Sequence, residues 1–373
     1  MKILFTGGGT AGHIFPIIAI VRELNRTGIQ AEYSFIGPKD DFGSILLSQE
    51  GIEIKNISAG KIRRYANWKS IAWNIIDVGF KVPLGFLQSF FYMFFYSPDI
   101  VFSKGGYGSL APSFCGWLFQ VPVVLHESDA APGLANKIIS KFTKRVLVSF
   151  PVPYTEYFSA EKMISVGNPI REELLGGSPE KGKKLFRLTG EKPVLLIMGG
   201  SQGAQVINDL VLNFLPQVIK LFEIIHQTGE KNYEQVKAEA RVVINREDDK
   251  YYHPVPFLKE IELREAYASI DMVISRAGSG SIFEIAAVGK PSVLIPLANS
   301  AQDHQVKNAY IYGSKRAAIV VEEANLAPHF LLERLKNLFS HPQELERMSE
   351  NAKTFAKPES ARLVAEYILG ILS

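Results

Sequence analysis

Met1-Lys2-Ile3-Leu4-Phe5-Thr6-Gly7-Gly8-Gly9-Thr10-Ala11-Gly12-His13 opens the chain and decides its fold. A short apolar run ends in a glycine turn. Behind it Ile17, Ile18, Ile20, Val21 and Leu24 recur at helical spacing. Tyr33-Ser34-Phe35-Ile36-Gly37 reads as the next strand. Strand, glycine turn, helix and strand make a parallel α/β unit. The unit recurs where Asp99-Ile100-Val101-Phe102 precedes Gly105-Gly106, and where Pro122-Val123-Val124-Leu125 precedes His126-Glu127. It restarts where Pro193-Val194-Leu195-Leu196-Ile197-Met198 runs into Gly199-Gly200-Ser201-Gln202-Gly203-Ala204, with a helix from Gln205. Further strands read at 224–226, 272–275 and 292–295.

Two such openings predict an α/β protein of two doubly wound, Rossmann-like domains. The expected divisions are residues 1–163, residues 164–350, and a last segment 351–373 whose apolar helix, with no strand after it, returns to the first domain. Ser165-Val166-Gly167-Asn168-Pro169-Ile170-Arg171 and the Gly- and Lys-rich stretch 176–184 mark the junction.

The length of 373 residues suits two full-sized cores, and 47% hydrophobic against 21% charged residues excludes global disorder. A net charge of +3 is too small to argue for nucleic acid. The single cysteine, Cys115, excludes a disulfide framework and a thiolate metal cluster. The start shows no signal peptide, and the expectation is a cytosolic enzyme. Two asymmetries single out the first half. Ten aromatic residues fall between Trp68 and Tyr96, and residues 1–160 hold 15 basic and 11 acidic side chains, whereas the remainder holds 26 and 27.

Glycines between a strand and a helix let backbone N–H groups approach an anion, and the helix N-terminus adds favourable partial charge. The alternative is a tight turn with no ligand. Gly7–Gly12 fits the bare dinucleotide expression, but the second strand ends Phe35-Ile36-Gly37-Pro38 with no acid for a ribose, which weakens a nicotinamide reading. Lys104-Gly105-Gly106-Tyr107-Gly108-Ser109 and Gly199–Ala204 are further loops of this kind. The latter lacks the Lys-Ser/Thr of a P-loop, arguing against a nucleoside triphosphatase. Three such loops suit two phosphate-bearing substrates.

His126-Glu127-Ser128-Asp129 is expected in the loop that ends its strand, where open α/β sheets place ligands; a solvated, Asp-capped turn is the other reading. His13 begins the first helix, whose dipole favours the neutral imidazole that a general base needs; a capping histidine is the alternative. Arg276-Ala277-Gly278-Ser279-Gly280-Ser281 leads into a helix carrying Glu284, placed to accept ribose hydroxyls or to serve the helix dipole. Gln302-Asp303-His304-Gln305 follows the strand at 292–296. No Asp-x-Asp and no histidine-rich spacing indicates a metal.

Taken in order across nearly the whole chain, these segments resemble glycosyltransferase family 28, the MurG-like enzymes of the GT-B fold. Pro132-Gly133-Leu134-Ala135-Asn136-Lys137, Glu284-Ile285-Ala286-Ala287 and Asn308-Ala309 belong to the same set. The resemblance implies transfer of N-acetylglucosamine from UDP-GlcNAc to lipid-linked muramyl-pentapeptide (lipid I) in peptidoglycan and cell-wall synthesis, by inverting displacement. It makes UDP-GlcNAc a substrate and implies no cofactor.

The family pattern carries over residue by residue. It makes His13 the general base and places Thr10, Ala11 and Gly12 near the donor sugar, with Asp129 standing where many relatives carry an Asn that contacts it. Arg171, Ser201 and Gln202 fall at the donor phosphates, Leu258 at the uracil by its backbone, and Glu284 at the ribose. Ser279 to Phe283 line the nucleotide, and Gln305 with His304 reaches the sugar hydroxyls. Gly8, Gly9, Gly105, Gly106, Tyr107 and Glu127 are implied on the acceptor side. Ala11 departs from the commoner glycine, which requires a negative φ there.

Residues 82–98 hold no charge, yet seventeen residues with Pro83, Gly85 and Pro98 make a poor spanning helix, since about 20 are needed. A partly exposed apolar face beside Lys61, Arg63, Arg64 and Lys69 would instead meet an anionic membrane surface, at the cytoplasmic face of the plasma membrane. Other cell-wall enzymes are further expected partners, and nucleic acid is not. A GT-B transferase acting on another lipid acceptor, a UDP-sugar hydrolase or epimerase, and a non-catalytic sugar-nucleotide binder are the competing readings.

Overall fold

The computed structural model describes residues 1–8, 11–60, 68–151, 157–200 and 203–373. The chain forms two compact units, Met1–Arg171 with Pro358–Ser373, and Glu172–Lys357.

The first unit is built on a seven-stranded parallel sheet of β1 (Lys2–Thr6), β2 (Glu32–Gly37), β3 (Glu53–Asn56), β4 (Ile100–Ser103), β5 (Val123–Glu127), β6 (Arg145–Val148) and β7 (Met163–Ser165), in the order β3-β2-β1-β4-β5-β6-β7. Leu4 of β1 is in register with Ser34 on one side and Val101 on the other. Period-two alternation sends Ile3 and Phe5 to one face, where they pack with Ile14, Ile17 and Val21 of the helix Ala11–Arg26. Val364, Ala365 and Ile368 of the helix Ser360–Leu372 join that cluster, so the last helix of the chain closes the first core. Leu4, Ile36 and Val101 face the other way, onto Met93 and Cys115. Covering on both faces is why the inner strands read as continuous apolar runs.

The second unit repeats the plan with six parallel strands, β8 (Val194–Met198), β9 (Glu223–Gln227), β10 (Tyr252–Val255), β11 (Met272–Ser275), β12 (Ser292–Leu294) and β13 (Ala318–Val320), ordered β10-β9-β8-β11-β12-β13. Leu195 and Ile197 enter one core, Val194, Leu196 and Met198 the other. The strand order reverses between β1 and β4 in the first unit and between β8 and β11 in the second. A crevice at the carboxyl ends of the strands forms at each reversal.

The unit boundaries differ from those read in the sequence at 163 and 350. β7 pairs with β6, so the first sheet is complete only after residue 165. The helix Pro342–Phe355 runs unbroken through 351, and the chain leaves the second unit at Lys357-Pro358.

The aromatic segment is more helical than its composition suggested. A continuous apolar helix spans Trp73–Tyr96, 24 residues, with a π-helical turn at Asp77–Lys81, and by length and composition alone it could cross a membrane. It ends at Ser97, in the left-handed conformation (φ 48), just before Pro98. Its inward stripe is Gly85, Ser89 and Met93, at four-residue spacing, and a Cβ on Gly85 would stand 2.0 Å from the Ser58 carbonyl oxygen. The opposite face is open: Phe80 is 72% exposed, Phe94 58% and Phe95 77%.

Candidate active site at the strand ends

In the first unit the turn after β1 and the turn after β4 meet around His13. A Cβ on Gly8 would stand 2.9 Å from His13 Cε1, and one on Gly106 3.2 Å from His13 Nε2. The imidazole is therefore held between two glycines whose missing side chains leave it room, at the reversal of strand order. Gly105 and Gly106 both have φ of +83, which glycine adopts without strain. Their N–H groups are not turned to an anion, as the sequence suggested. Gly105 N–H donates to Ser103 Oγ (3.3 Å) and Gly106 N–H to Asn136 Oδ1 (2.9 Å). The glycines supply close approach instead of donors. Tyr107, 37% exposed, opens the short helical turn that follows.

Asn136 passes the bracing on. Its Nδ2 donates to Glu127 Oε2 (2.6 Å), and Glu127 Oε1 accepts Asp129 N–H (2.9 Å). Glu127 and His126 are 3% and 0% exposed and belong to β5 itself, not to the loop after it or to a solvated turn. The β5 pairing with β6 continues to Glu127–Val148, which keeps both residues inside the sheet. Burial and then the Asp129 carboxylate push the Glu127 carboxyl up to about 7. Asp129 itself lies in the turn beyond, partly buried.

The cluster holds a cation that sequence reading passed over as part of a loop. Lys104, 1% exposed, donates to His126 Nδ1 (2.7 Å), Ser128 Oγ and Asn168 Oδ1 (3.3 Å). Burial lowers its ammonium to about 7, against the pull of Glu127 and Asp129. Burial first, and the Lys104 charge second, hold the His13 imidazole down at about 4, with Asp129 pulling upward. His13 is thus neutral at physiological pH, able to accept a proton. Arg171 is 4% exposed and stacks 3.9 Å over the Phe15 ring, two residues beyond His13. Ala11 begins the helix Ala11–Arg26, and Gly12 is exposed beside it. Gly9, Thr10, Lys61, Arg63 and Arg64 lie outside the described residues.

In the second unit the corresponding ends are braced by neutral amides beside one ion pair. The turn after β8 bends at Gly200 (φ +89) and Gly203 (φ +76); Ser201 and Gln202 between them lie outside the described residues. Gln227, the last residue of β9 and 4% exposed, spans two loops. Its Nε2 donates to Gly200 O (3.0 Å) and its Oε1 accepts Leu258 N–H (3.0 Å). No motif spacing pointed to Gln227, because its partners lie 27 and 31 residues away. After β11, Arg276 pairs with Glu323 (2.5 Å), and Ser279 opens the helix Ser279–Ala287, with Glu284 partly buried in its second turn. Tyr267 O–H donates to Glu284 Oε2 (3.5 Å). After β12, Gln302 and Asp303 take consecutive left-handed conformations (φ 59 and 54). Strain of that kind is tolerated where neighbours over-determine it. Gln305 supplies such a constraint, its Oε1 accepting Leu297 N–H (3.1 Å) and its own N–H donating to Ser300 Oγ (3.2 Å).

Residues 3–148 match the model of the glycosyltransferase family 28 N-terminal domain, and residues 194–364 that of the family 28 C-terminal domain. The chain is 37% identical over 352 residues (94% of this chain, 93% of the relative) to the UDP-N-acetylglucosamine–N-acetylmuramyl-(pentapeptide) pyrophosphoryl-undecaprenol N-acetylglucosamine transferase of Clostridium tetani. It is also 37% identical over 373 residues (100% and 99%) to the transferase 2 of the same description from Bacillus cereus. Among solved structures, MurG of Acinetobacter baumannii matches with a TM-score of 0.74 and 25% identity over 99% of both chains. UDP-GlcNAc 2-epimerase of Neisseria meningitidis shares the fold alone, with a TM-score of 0.67 at 14% identity over 99% of this chain and 100% of that one. With a parallel doubly wound unit under each of the two matched models, the chain belongs to glycosyltransferase family 28 and has its GT-B fold.

Proposed function

We propose that this enzyme transfers N-acetylglucosamine from UDP-GlcNAc to undecaprenyl-pyrophosphoryl-MurNAc-pentapeptide, lipid I, giving lipid II, by direct displacement with inversion. The observation that carries the reading is His13, neutral and flanked by Gly8 and Gly106 where the first sheet reverses its strand order. The acceptor approaches across the two glycines, whose lack of Cβ leaves the imidazole open. Its hydroxyl attacks the anomeric carbon of the donor as the bond to UDP breaks, and His13 takes the hydroxyl proton. An imidazole held near 4 is a weak base in the free protein. The acceptor's pyrophosphate beside it favours the protonated form, so binding raises basicity toward the working pH.

The donor is read by backbone, hydroxyl and amide groups together with one carboxylate, Glu284. Leu258 offers uracil its carbonyl, since its N–H is committed to Gln227. Glu284 takes the ribose hydroxyls, Ser279 lines the nucleotide, and Gln305 takes the sugar hydroxyls. Arg171, with Ser201 and Gln202, offsets the charge that grows on the diphosphate as it leaves. Asp129 stands near the donor sugar and Glu127 on the acceptor side, both as ionisable neighbours of the base. Labelled UDP-GlcNAc with a lipid I analogue tests the reading. Incorporation into the analogue with inverted stereochemistry is expected; no incorporation, or release of sugar to water at the same rate, overturns it.

The enzyme works as a peripheral protein on the cytoplasmic face of the plasma membrane. Supporting this is the apolar helix Trp73–Tyr96, committed on one side to the first sheet through Gly85, Ser89 and Met93 and exposed on the other. A helix anchored in that way lies against the membrane and does not cross it. Phe94→Ser with Phe95→Ser is expected to abolish co-sedimentation with anionic liposomes while sparing transfer to a short-chain soluble acceptor. Unchanged co-sedimentation removes this face from membrane binding.

A further inference from the structure

Lys104 contacts no substrate in the chemistry described so far, yet it occupies the centre of the first-unit cluster. A buried ammonium is seldom a stabilising choice, and an apolar side chain of similar length fills the same volume without the cost of desolvation. Its surroundings argue for a different purpose. His126 Nε2 lies 3.0 Å from the Gly167 carbonyl oxygen, which can only accept, so Nε2 carries the proton and Nδ1 is left to accept from Lys104. Asn168 Oδ1 accepts from Lys104 and from Ser128 Oγ (3.2 Å). One side chain thereby joins the end of β4, the end of β5 and the segment after β7. That segment ends at Arg171, stacked on Phe15. On its other side, Lys104 shares a glycine with the base: a Cβ on Gly7 would stand 3.2 Å from His13 Cβ and 3.7 Å from Lys104 Cβ.

We propose that Lys104 is a positioning residue for the transfer: its ammonium locks the Gly105-Gly106 turn, the His126–Ser128 strand end and the Gly167–Arg171 segment into one frame, and couples that frame electrostatically to His13 and Asp129. The proposal rests on the reading of His13 as the base. The charged and titratable groups around it are His126, Glu127 and Asp129 from β5 and its turn, His13 from the first helix, and Arg171 beyond β7. Lys104 is protonated below about 7, so its charge is present throughout the range in which His13 titrates, and it opposes protonation of His13 while Asp129 favours it.

The test compares Lys104→Met, Asp129→Asn and the double variant in the full-length enzyme. Two readouts are followed: the pH dependence of kcat/KM, and the His13 imidazole followed by nitrogen NMR and assigned with His13→Ala. Lys104→Met is expected to move the His13 midpoint, and the acid limb of kcat/KM with it, upward by about one pH unit. It should also raise the donor KM roughly fivefold as the Arg171 segment loosens. Asp129→Asn should move the midpoint downward, and the double variant should fall between the two. A rate lowered by one factor at every pH, with the His13 midpoint unmoved, overturns the proposal. A midpoint that moves without the acid limb supports Lys104 and rejects His13 as base, so the two readings fail separately. Should Lys104→Met not fold, Asp129→Asn decides: an unmoved His13 midpoint defeats the coupling.

Discussion

In the first unit the strand ends deliver Lys104, His126, Glu127 and the neighbouring His13 into one cluster, most of it closed to water. In the second they deliver Gln227 and Gln305, neutral amides bonded to backbone, and the cation there, Arg276, is matched by Glu323. Both units nevertheless use one device. Asn136 holds the turn after β4 through Gly106 N–H, and Gln227 holds the turn after β8 through Gly200 O. What differs is the partner at the amide's other end: a buried carboxylate in the first unit, a backbone N–H in the second. On the proposed reading of His13 as the base, charge is stored where a proton must move, because a low-dielectric cluster sets the basicity of the imidazole. In the second unit the charges are paired or sparse, as at Arg276 with Glu323, where a ligand brings its own charge.

The largest effect that could break this contrast belongs to His13. His13→Ala is expected to lower turnover by roughly 10²-fold or more. The dissociation constant for UDP, measured by calorimetry, should stay where it was. A parallel loss of UDP affinity would mean that the histidine serves the nucleotide, and the division of labour between the units would fail.

The two bracing amides offer a finer comparison. Asn136→Ala leaves Gly106 N–H without its acceptor and the Glu127 carboxylate short of a donor, each costing about 1–3 kcal/mol or more because one is charged. Gln227→Ala frees one carbonyl and one N–H, both neutral. Asn136→Ala should therefore lower the melting temperature more and reduce kcat by at least tenfold or so. Gln227→Ala should raise the donor KM roughly tenfold with kcat nearly unchanged. Equal losses in kcat from both would erase the distinction between a charged and a neutral brace.

The same physical difference explains what could be read in the amino-acid sequence. Strands β1, β2, β4, β5, β8, β9, β11 and β12 announce themselves as apolar runs because they are covered on both faces. The sheet edges β3, β7, β10 and β13 do not: an edge strand has one neighbour, and residues such as Glu53, Lys55 and His253 are accommodated there. β6 opens on the exposed Arg145 directly after Lys144, and those charges break up its short apolar run. In the site, His13 and the glycine turns are legible because each is defined by its own few neighbours. Lys104 is not, since what makes it notable is Asn168, 64 residues away, and its complete burial. Glu127 and His126 misled for the converse reason: four polar residues in a row resemble a loop, while the first two continue β5 and find their partners inside the unit.

The smallest expected effect is at Glu284, and it asks whether the second unit uses charge at all. The side chain sits in the second turn of its helix, partly buried, with Tyr267 O–H near one oxygen. A carboxylate there can accept from both ribose hydroxyls, whereas an amide accepts with one atom and donates with the other. Glu284→Gln should therefore raise the donor KM only about threefold, leaving kcat alone. The informative measurement is discrimination: wild-type enzyme should bind UDP more tightly than 2′-deoxy-UDP, and the margin should shrink in the variant. If the wild type fails to discriminate, the carboxylate serves its helix and not the ribose. Nucleotide recognition in this unit would then fall to amides, hydroxyls and backbone, which would widen the contrast with the charged strand ends of the first.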